Sequence, residues 1–244
     1  MQIESVNNPK IKNLIKLKDK KYRDLTNSFI VEGCHLVREA LKKNLVMEIY
    51  SLNDEDYGVP SFKVSEAVMK RVSTQVSISP VIALCKKMEE KDILGPTLIL
   101  DGIQDPGNLG TIIRSAVAFS MPNIILSDDA VDLYNPKVVR ATQGTLFHIP
   151  IFTYNFKELL PMLKELKIPI YATRVEYGTD AKELTVADKK RFALLVGNEG
   201  SGVRKEYLEL SDKNLYIPMS NDVESLNVAI ATSVLLYELG KKDE

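Results

Sequence analysis

TLILDGIQDPGNLGTIIRSAVAF, residues 97–119, decides the fold. Its first part, TLILDGI (97–103), is a short, mostly apolar run of the kind buried on both faces of a sheet. Pro106, Gly107 and Gly110 then make a tight turn, and helical spacing follows over about 109–119. A strand running through a glycine turn into a helix is half of a parallel crossover. Downstream the unit recurs: NIILS (123–127), IPIYATR (168–174), FALLVG (192–197) and NLYIPM (214–219) alternate with helical patterns at about 135–143, 156–167, 203–210 and 225–239. This predicts an α/β fold with a parallel sheet and helices on both faces. Ligands of such sheets bind beyond the carboxyl ends of the strands, so the loops there come first.

Upstream, FIVEG (29–33) and LVMEIYSL (45–52) read as strands, and CHLVREALKKN (34–44) and SEAVMKRVS (65–73) as helices, a small α/β module. A charge run meets Gly95 and Pro96 in CKKMEEKDILGP (85–96), a plausible linker that divides the chain into 1–91 and 92–244. The net charge of −1 hides an asymmetry, with 16 Lys and Arg against 12 Asp and Glu in the first part and 16 against 21 in the second. Within the first part, KIKNLIKLKDKKYR (10–23) carries seven basic residues and one acid, spaced as on an amphipathic helix. Phosphate attraction and a merely solvated helix face both fit it.

Composition excludes several classes. The 45% hydrophobic and 27% charged content is ordinary for a soluble globular protein. Cys34 and Cys85 suit a reducing cytoplasm and match no zinc spacing. MQIESVNNPKIK lacks a signal-peptide core, and no apolar run reaches the ~18 residues of a membrane helix. The expectation is a cytoplasmic protein with no membrane segment, and with His35 and His148 as structural histidines.

Three strand-following loops carry chemistry. In the first, Asn108, Thr111 and Ser115 lie near one edge of the helix start, and Arg114 can reach the loop. The G-x-G-x-x-G spacing of a dinucleotide site is missing. In the second, LLVGNEGSGV (194–203), three glycines surround Glu199 and no Lys-Ser or Lys-Thr follows, so a phosphate loop is excluded. Either loop alone also reads as an ordinary glycine turn with a solvated charge. The third is IPMSNDVESLNVAIA (217–231), where Pro218 ends the strand and Ser220, Asn221 and Asp222 suit a turn. Ser225 can cap a helix beginning at Leu226. That leaves Asn227, just inside such a helix, needing another role.

Together, Asn108-x-Gly110-x-x-x-Arg114-x-Ala116, Gly197-x-Glu199-x-x-Gly202, and Ile217-Pro218-Met219 followed by Ser225-Leu226-Asn227-Val228 resemble the three ordered motifs of the SpoU, or TrmH-like, RNA ribose 2′-O-methyltransferases. NPKVVRATQGTLFHIP (135–150) is similar to a further stretch of that family, and the resemblance covers most of 97–240. FIVEGCHLVREAL looks like the RNA substrate-binding domain many such enzymes carry in front, itself similar to a ribosomal-protein-type RNA-binding fold. Ser120 and Asn221 stand where the family often has glycine.

The resemblance implies a C-terminal trefoil knot holding S-adenosylmethionine, with Gly197, Ile217, Met219 and Leu226 around the adenine and ribose. It implies Arg114 as the catalytic residue, acting on the hydroxyl together with an RNA phosphate, and Asn108, Glu199, Ser225 and Asn227 as supporting site residues. It also implies methyl transfer to a ribose 2′-hydroxyl without a metal, an RNA partner in which ribosomal RNA is favoured over transfer RNA, and a homodimer built by the catalytic half. Two rival classes are a non-catalytic RNA-binding assembly factor on the same scaffold and a nucleotide-dependent oxidoreductase. The intact Arg114, Glu199 and Asn227 argue against the first, and the missing fingerprint against the second.

Overall fold

The computed structural model describes residues 2–88 and 95–240, so most of the charged link expected at 85–96 lies outside the described residues. The chain divides into two compact units, one of Met1–Glu89 with Asp132–Phe147 and the other of Glu90–Val131 with His148–Glu244.

The first unit contains β1 (Gln2–Ile3), α1 (Pro9–Lys16), α2 (Lys20–Thr26), β2 (Ser28–Glu32), α3 (Cys34–Lys42), β3 (Val46–Ser51), β4 (Ser61–Val64), α4 (Glu66–Val72) and β5 (Val81–Lys86). Its sheet has the order β1-β4-β3-β5-β2 and mixes parallel and antiparallel pairs. The basic stretch 10–23 is two helices rather than one. Asn8 and Asp19 each cap a helix start, and the chain breaks between them. Arg23 is only 3% exposed, donating to the Leu17 carbonyl and pairing with Asp132. Lys18 donates to the carbonyls of Arg71 and Ser73, Lys10 pairs with Glu48, and Lys20 with Asp24. Four of the seven cations are thus spent on structure. The stretch 132–147, expected by position with the second half, completes this unit through α6 (Pro136–Ala141). Tyr134 and Phe147 pack on Phe29, and His35 meets the Gln143 carbonyl at 3.1 Å.

The second unit is a seven-stranded sheet whose six pairings are all parallel. Its elements are β6 (Thr97–Leu100), α5 (Pro106–Ala118), β7 (Asn123–Ser127), β8 (Ile151–Tyr154), α7 (Phe156–Glu165), β9 (Ile170–Thr173), β10 (Thr179–Asp180), β11 (Ala193–Val196), α8 (Lys205–Leu208), β12 (Lys213–Tyr216) and α9 (Val228–Gly240). The order β10-β12-β9-β11-β6-β7-β8 puts β11 and β6 side by side in the middle. Ile99, Ile125, Ile170, Ala172 and Leu195 pack with Phe156, Leu159, Leu160 and Leu163 of α7. Their neighbours Leu98, Leu100, Ile124, Leu194 and Val196 are buried as well, so both faces of the sheet are covered.

Strands end sooner than their apolar runs. β12 stops at Tyr216, leaving Ile217, Pro218 and Met219 beyond the sheet, and the expected strand end at 219 is corrected accordingly. α9 buries Ala229, Thr232, Leu235, Leu236 and Leu239, while Ile230, Val234 and Tyr237 stay exposed. Leu235, Leu236 and Leu239 are therefore consumed within the unit, and Ala229 belongs to the same core face. Ser120, with φ 59, occupies the left-handed conformation after α5 that glycine would take without strain.

Candidate active site

Three loops leave the carboxyl ends of β6, β11 and β12. The first begins at Asp101 and turns at Gly102, whose φ of 67° is left-handed. Asp105 then starts α5: its backbone is extended, its carboxylate accepts the Asn108 amide at 2.8 Å, and Pro106 follows, where no helical N–H is needed. Asn108 therefore stands in the first turn, and Arg114 about two turns beyond it.

The second loop folds on itself. Asn198 and Gly202 exchange two backbone bonds of 3.0 Å each, and Asn198 Oδ1 accepts from Gly200 and Ser201. A Cβ on Gly197 would lie 2.0 Å from backbone atoms of Gly202 and Val203, so the loop's own packing demands glycine there. This geometry brings Glu199 onto the first loop. Its Oε1 accepts from the Asp105 amide at 3.0 Å and from Asn108 Nδ2 at 3.2 Å, and the Gln104 amide reaches both oxygens at 3.2 and 3.3 Å. Burial raises the Glu199 pKa, but the donors of Asp105, Glu199 itself, Asn108 and Gln104 outweigh it, and the carboxyl is held below its ordinary value.

The third loop closes the line. Asn227 Nδ2 donates to Asn108 Oδ1 at 3.0 Å, and Asn227 Oδ1 accepts from Ala229 and Ile230 at 2.9 and 3.3 Å. An ionised carboxylate only accepts, so Asn108 must turn its NH₂ to Glu199 and its oxygen to Asn227. Asn227 must in turn present its NH₂ to Asn108 and its oxygen to the helix. Ser225, expected from the sequence to cap a helix beginning at Leu226, makes no capping bond; α9 begins at Val228 and Asn227 is its cap. Leu226 lies in the loop, 36% exposed, so the apolar residue that marked the helix start belongs outside it.

Beside this line is a cavity of about 590 Å³, within the ~300–1,000 Å³ usual for small-molecule sites. Gly197, Glu199, Ile217, Met219, Ser225 and Leu226 are on its wall; Asn108, Arg114 and Asn227 are not. Backbone N–H and C=O groups of Ile217, Met219 and Leu226 have no partner among the described residues. Arg114 is exposed and has no side-chain partner among the described residues either. The same cavity takes Arg174, Glu176 and Tyr177 from the loop after β9, and Glu224, which sequence reasoning missed. Their signal was the rule already applied to three loops, since β9 is also a parallel strand with an open carboxyl end. Among the described residues no group of three or more His, Cys, Asp or Glu could hold a metal, and no helix is long and apolar enough to cross a membrane.

Known proteins resemble this one over nearly the whole chain. The profile of an MRM3-like substrate binding domain matches residues 8–83 and that of the SpoU rRNA Methylase family residues 95–237. The chain is 39% identical to the 23S rRNA (guanosine(2553)-2′-O)-methyltransferase RlmP of Bacillus subtilis, over 98% of both chains. A putative RNA methyltransferase of the TrmH family from Porphyromonas gingivalis superposes with a TM-score of 0.86 at 32% identity, covering 96% of this chain and 98% of the other. The AdoMet-bound rRNA methyltransferase of Sinorhizobium meliloti superposes with a TM-score of 0.87 at 29% identity, covering 98% and 97%. With its three motifs converging beside one cavity, the chain belongs to the SpoU rRNA Methylase family.

Proposed function

We propose that this protein transfers a methyl group from S-adenosylmethionine to a ribose 2′-hydroxyl of ribosomal RNA. The observation that carries the reading is the Asn227–Asn108–Glu199 line, which fixes three loops beside a cavity suited to a nucleoside. Ile217, Leu226 and Met219 offer apolar surface for a purine. Their unpartnered backbone groups, with that of Gly197, offer the donor and acceptor its edge requires. Ser225 adds a hydroxyl to the wall.

When bound, S-adenosylmethionine supplies a sulfonium methyl, the ribose oxygen gaining the C–O bond as the C–S bond breaks. The chain's task is alignment and removal of the hydroxyl proton. Arg114 is free to hold an RNA phosphate next to the reacting hydroxyl. Arginine keeps its proton in proteins and is a poor base, so Arg114 clamps the phosphate while the hydroxyl proton passes to a phosphate oxygen and on to water. Asn108, Glu199 and Asn227 keep α5 and α9 in register around it.

The preference for ribosomal RNA rests on relatives that bear that substrate in their names. Residues 1–91 are the RNA substrate-binding domain and 92–244 the catalytic domain, a division supported by the two family matches. The C-terminal segment is threaded as a trefoil knot; in support, α9 packs both on α5 and on the turn at Ala181–Glu183. The enzyme works in the cytoplasm as a homodimer, without a metal.

The test is to map ribose methylation across ribosomal and transfer RNA in cells with and without the protein, and to repeat the transfer in vitro with a chelator. Loss of one 2′-O-methyl group in ribosomal RNA is expected. A missing mark in transfer RNA would change the substrate, and a methyl on a base, or chelator-sensitive transfer, would overturn the reaction.

A further inference from the structure

A second polar cluster grips the same loops through residues outside the three motifs. At its centre is Arg204, the residue before α8. Its backbone N–H donates to Asp101 Oδ2 at 3.1 Å, its Nε lies 3.4 Å from Asp101 Oδ1, and its Nη2 pairs with Asp129 Oδ2. Asp101 follows β6 directly and is 1% exposed; its Oδ1 has no hydrogen bond, so the Arg204 charge is its compensation. Asp129 Oδ1 accepts the Ser127 hydroxyl at 2.7 Å, and Ser127 Oγ accepts the Gly102 amide at 2.8 Å. The Gly102 carbonyl takes Asn198 Nδ2 at 2.7 Å and Gln104 Nε2 at 3.2 Å, and Gln104 Nε2 also reaches the Asp129 carbonyl at 2.6 Å.

The result is a closed ring of bonds around the 101–105 turn. That turn presents the Gln104 and Asp105 amides to Glu199, and its last residue starts the helix carrying Asn108 and Arg114. Burial pushes the Asp101 carboxyl up, and the N–H and charge of Arg204 oppose the rise. A planar, forked cation is suited to serve two carboxylates that lie beyond different strands, with its Nε towards one and its Nη2 on the other, a geometry the point charge of a lysine does not reproduce.

We propose that Arg204 is a positioning residue for the methyl transfer: by tying Asp101 at the end of β6 to Asp129 beyond β7, it fixes the turn that holds Glu199 and aims α5. The inference rests on the function proposed above. Arg204→Ala alone strands a buried carboxylate and is expected to lower Tm, so the informative variant combines it with Asp101→Asn, which removes that charge.

In the double variant Tm is expected to return towards wild type while kcat stays roughly 10- to 100-fold down, with KM for RNA and Kd for S-adenosylhomocysteine changed by no more than about threefold. Amide exchange at Gln104 and Asp105 should quicken about tenfold or more while β6 remains protected. Arg204→Lys should show the same kcat loss in milder form. Recovery of kcat together with Tm, or unchanged exchange at Gln104 and Asp105, overturns the proposal. Wild-type protein that transfers no methyl group would sink the functional reading instead, and amide exchange would still decide whether Arg204 holds the turn.

Discussion

Arg114 and Glu199 answer to different tests because one has no side-chain partner among the described residues and the other has four donors around it. Arg114 is exposed, and the cavity wall does not include it. Arg114→Ala is therefore expected to lower kcat about 100-fold or more, as for removal of a group acting on developing charge, and to leave S-adenosylhomocysteine affinity within about threefold by calorimetry. Comparable loss of affinity would show that Arg114 belongs to the cofactor wall. Glu199, with its pKa held down in the folded state, contributes stability that is complete above its unfolded value of about 4.3 and is lost as pH falls through the lower folded value. Glu199→Gln should cost roughly 1 kcal/mol at pH 7 in urea unfolding, a hydrogen-bond value reduced for an exposed site. That gap should close as pH falls through the lowered folded value. A gap that persisted in acid would mean that the side chain's shape, rather than its charge, matters.

At the level of elements, α9 shows what could and could not be read from the chain. Strand–turn–helix alternation was legible because parallel strands are apolar on both faces, and so were the three loops, because glycine and Asn mark turns. The cap of α9 was not. Ser225 and Asn227 are both good capping residues, and Leu226 between them looked like the first helical apolar residue when it is a loop residue on the cavity wall. The short strands Ser61–Val64, Val81–Lys86 and Ile151–Tyr154 were missed because pairing partners, not local pattern, make them strands. Nor can periodicity show that Arg204 meets Asp101, since the contact spans two loops.

The two roles of Asn227 can be separated. Asn227→Ala should cost about 1 kcal/mol as a lost cap, whereas Asn227→Asp keeps the cap and removes the donor to Asn108. The Asp variant is expected to hold Tm near wild type and lose about tenfold or more in methyl transfer, the scale of a small misplacement. An Asp variant as active as the wild type would deny the Asn227–Asn108 bond a part in the site.

For the whole molecule, charge and apolar surface divide between the two units. In the first unit, Lys12 and Lys21 are left without side-chain partners among the described residues, whereas Lys18 is held by two carbonyls. Each phosphate contact adds about 0.7–0.9 to the slope of log K against log salt. Changing Lys12 and Lys21 together to Gln should therefore flatten that slope by about 1.5. Lys18→Gln should leave it unchanged, and equal effects would mean that the partnered lysines also reach RNA.

The second unit presents Ile230, Val234 and Tyr237 at spacings of four and three, one stripe along α9 with exposures of 54, 38 and 51%. Tyr237 leans on Phe119, the residue just after α5, at 5.7 Å between rings, and the Ser115–Ser233 bond of 2.6 Å locks the two helices together. The stripe is thus rigid before any partner arrives, which lowers the entropic cost of docking. An apolar stripe on a packed helix is the self-complementary surface a two-fold dimer needs, since each copy offers the same residues to the other. Sedimentation at micromolar concentration should give a mass of two chains. Ile230→Glu, which sets one carboxylate from each copy against the other within this stripe, should give one chain with an unchanged far-ultraviolet spectrum, because more than half of the residue is already in solvent. A wild-type monomer, or a dimer indifferent to Ile230→Glu, would remove α9 from the interface.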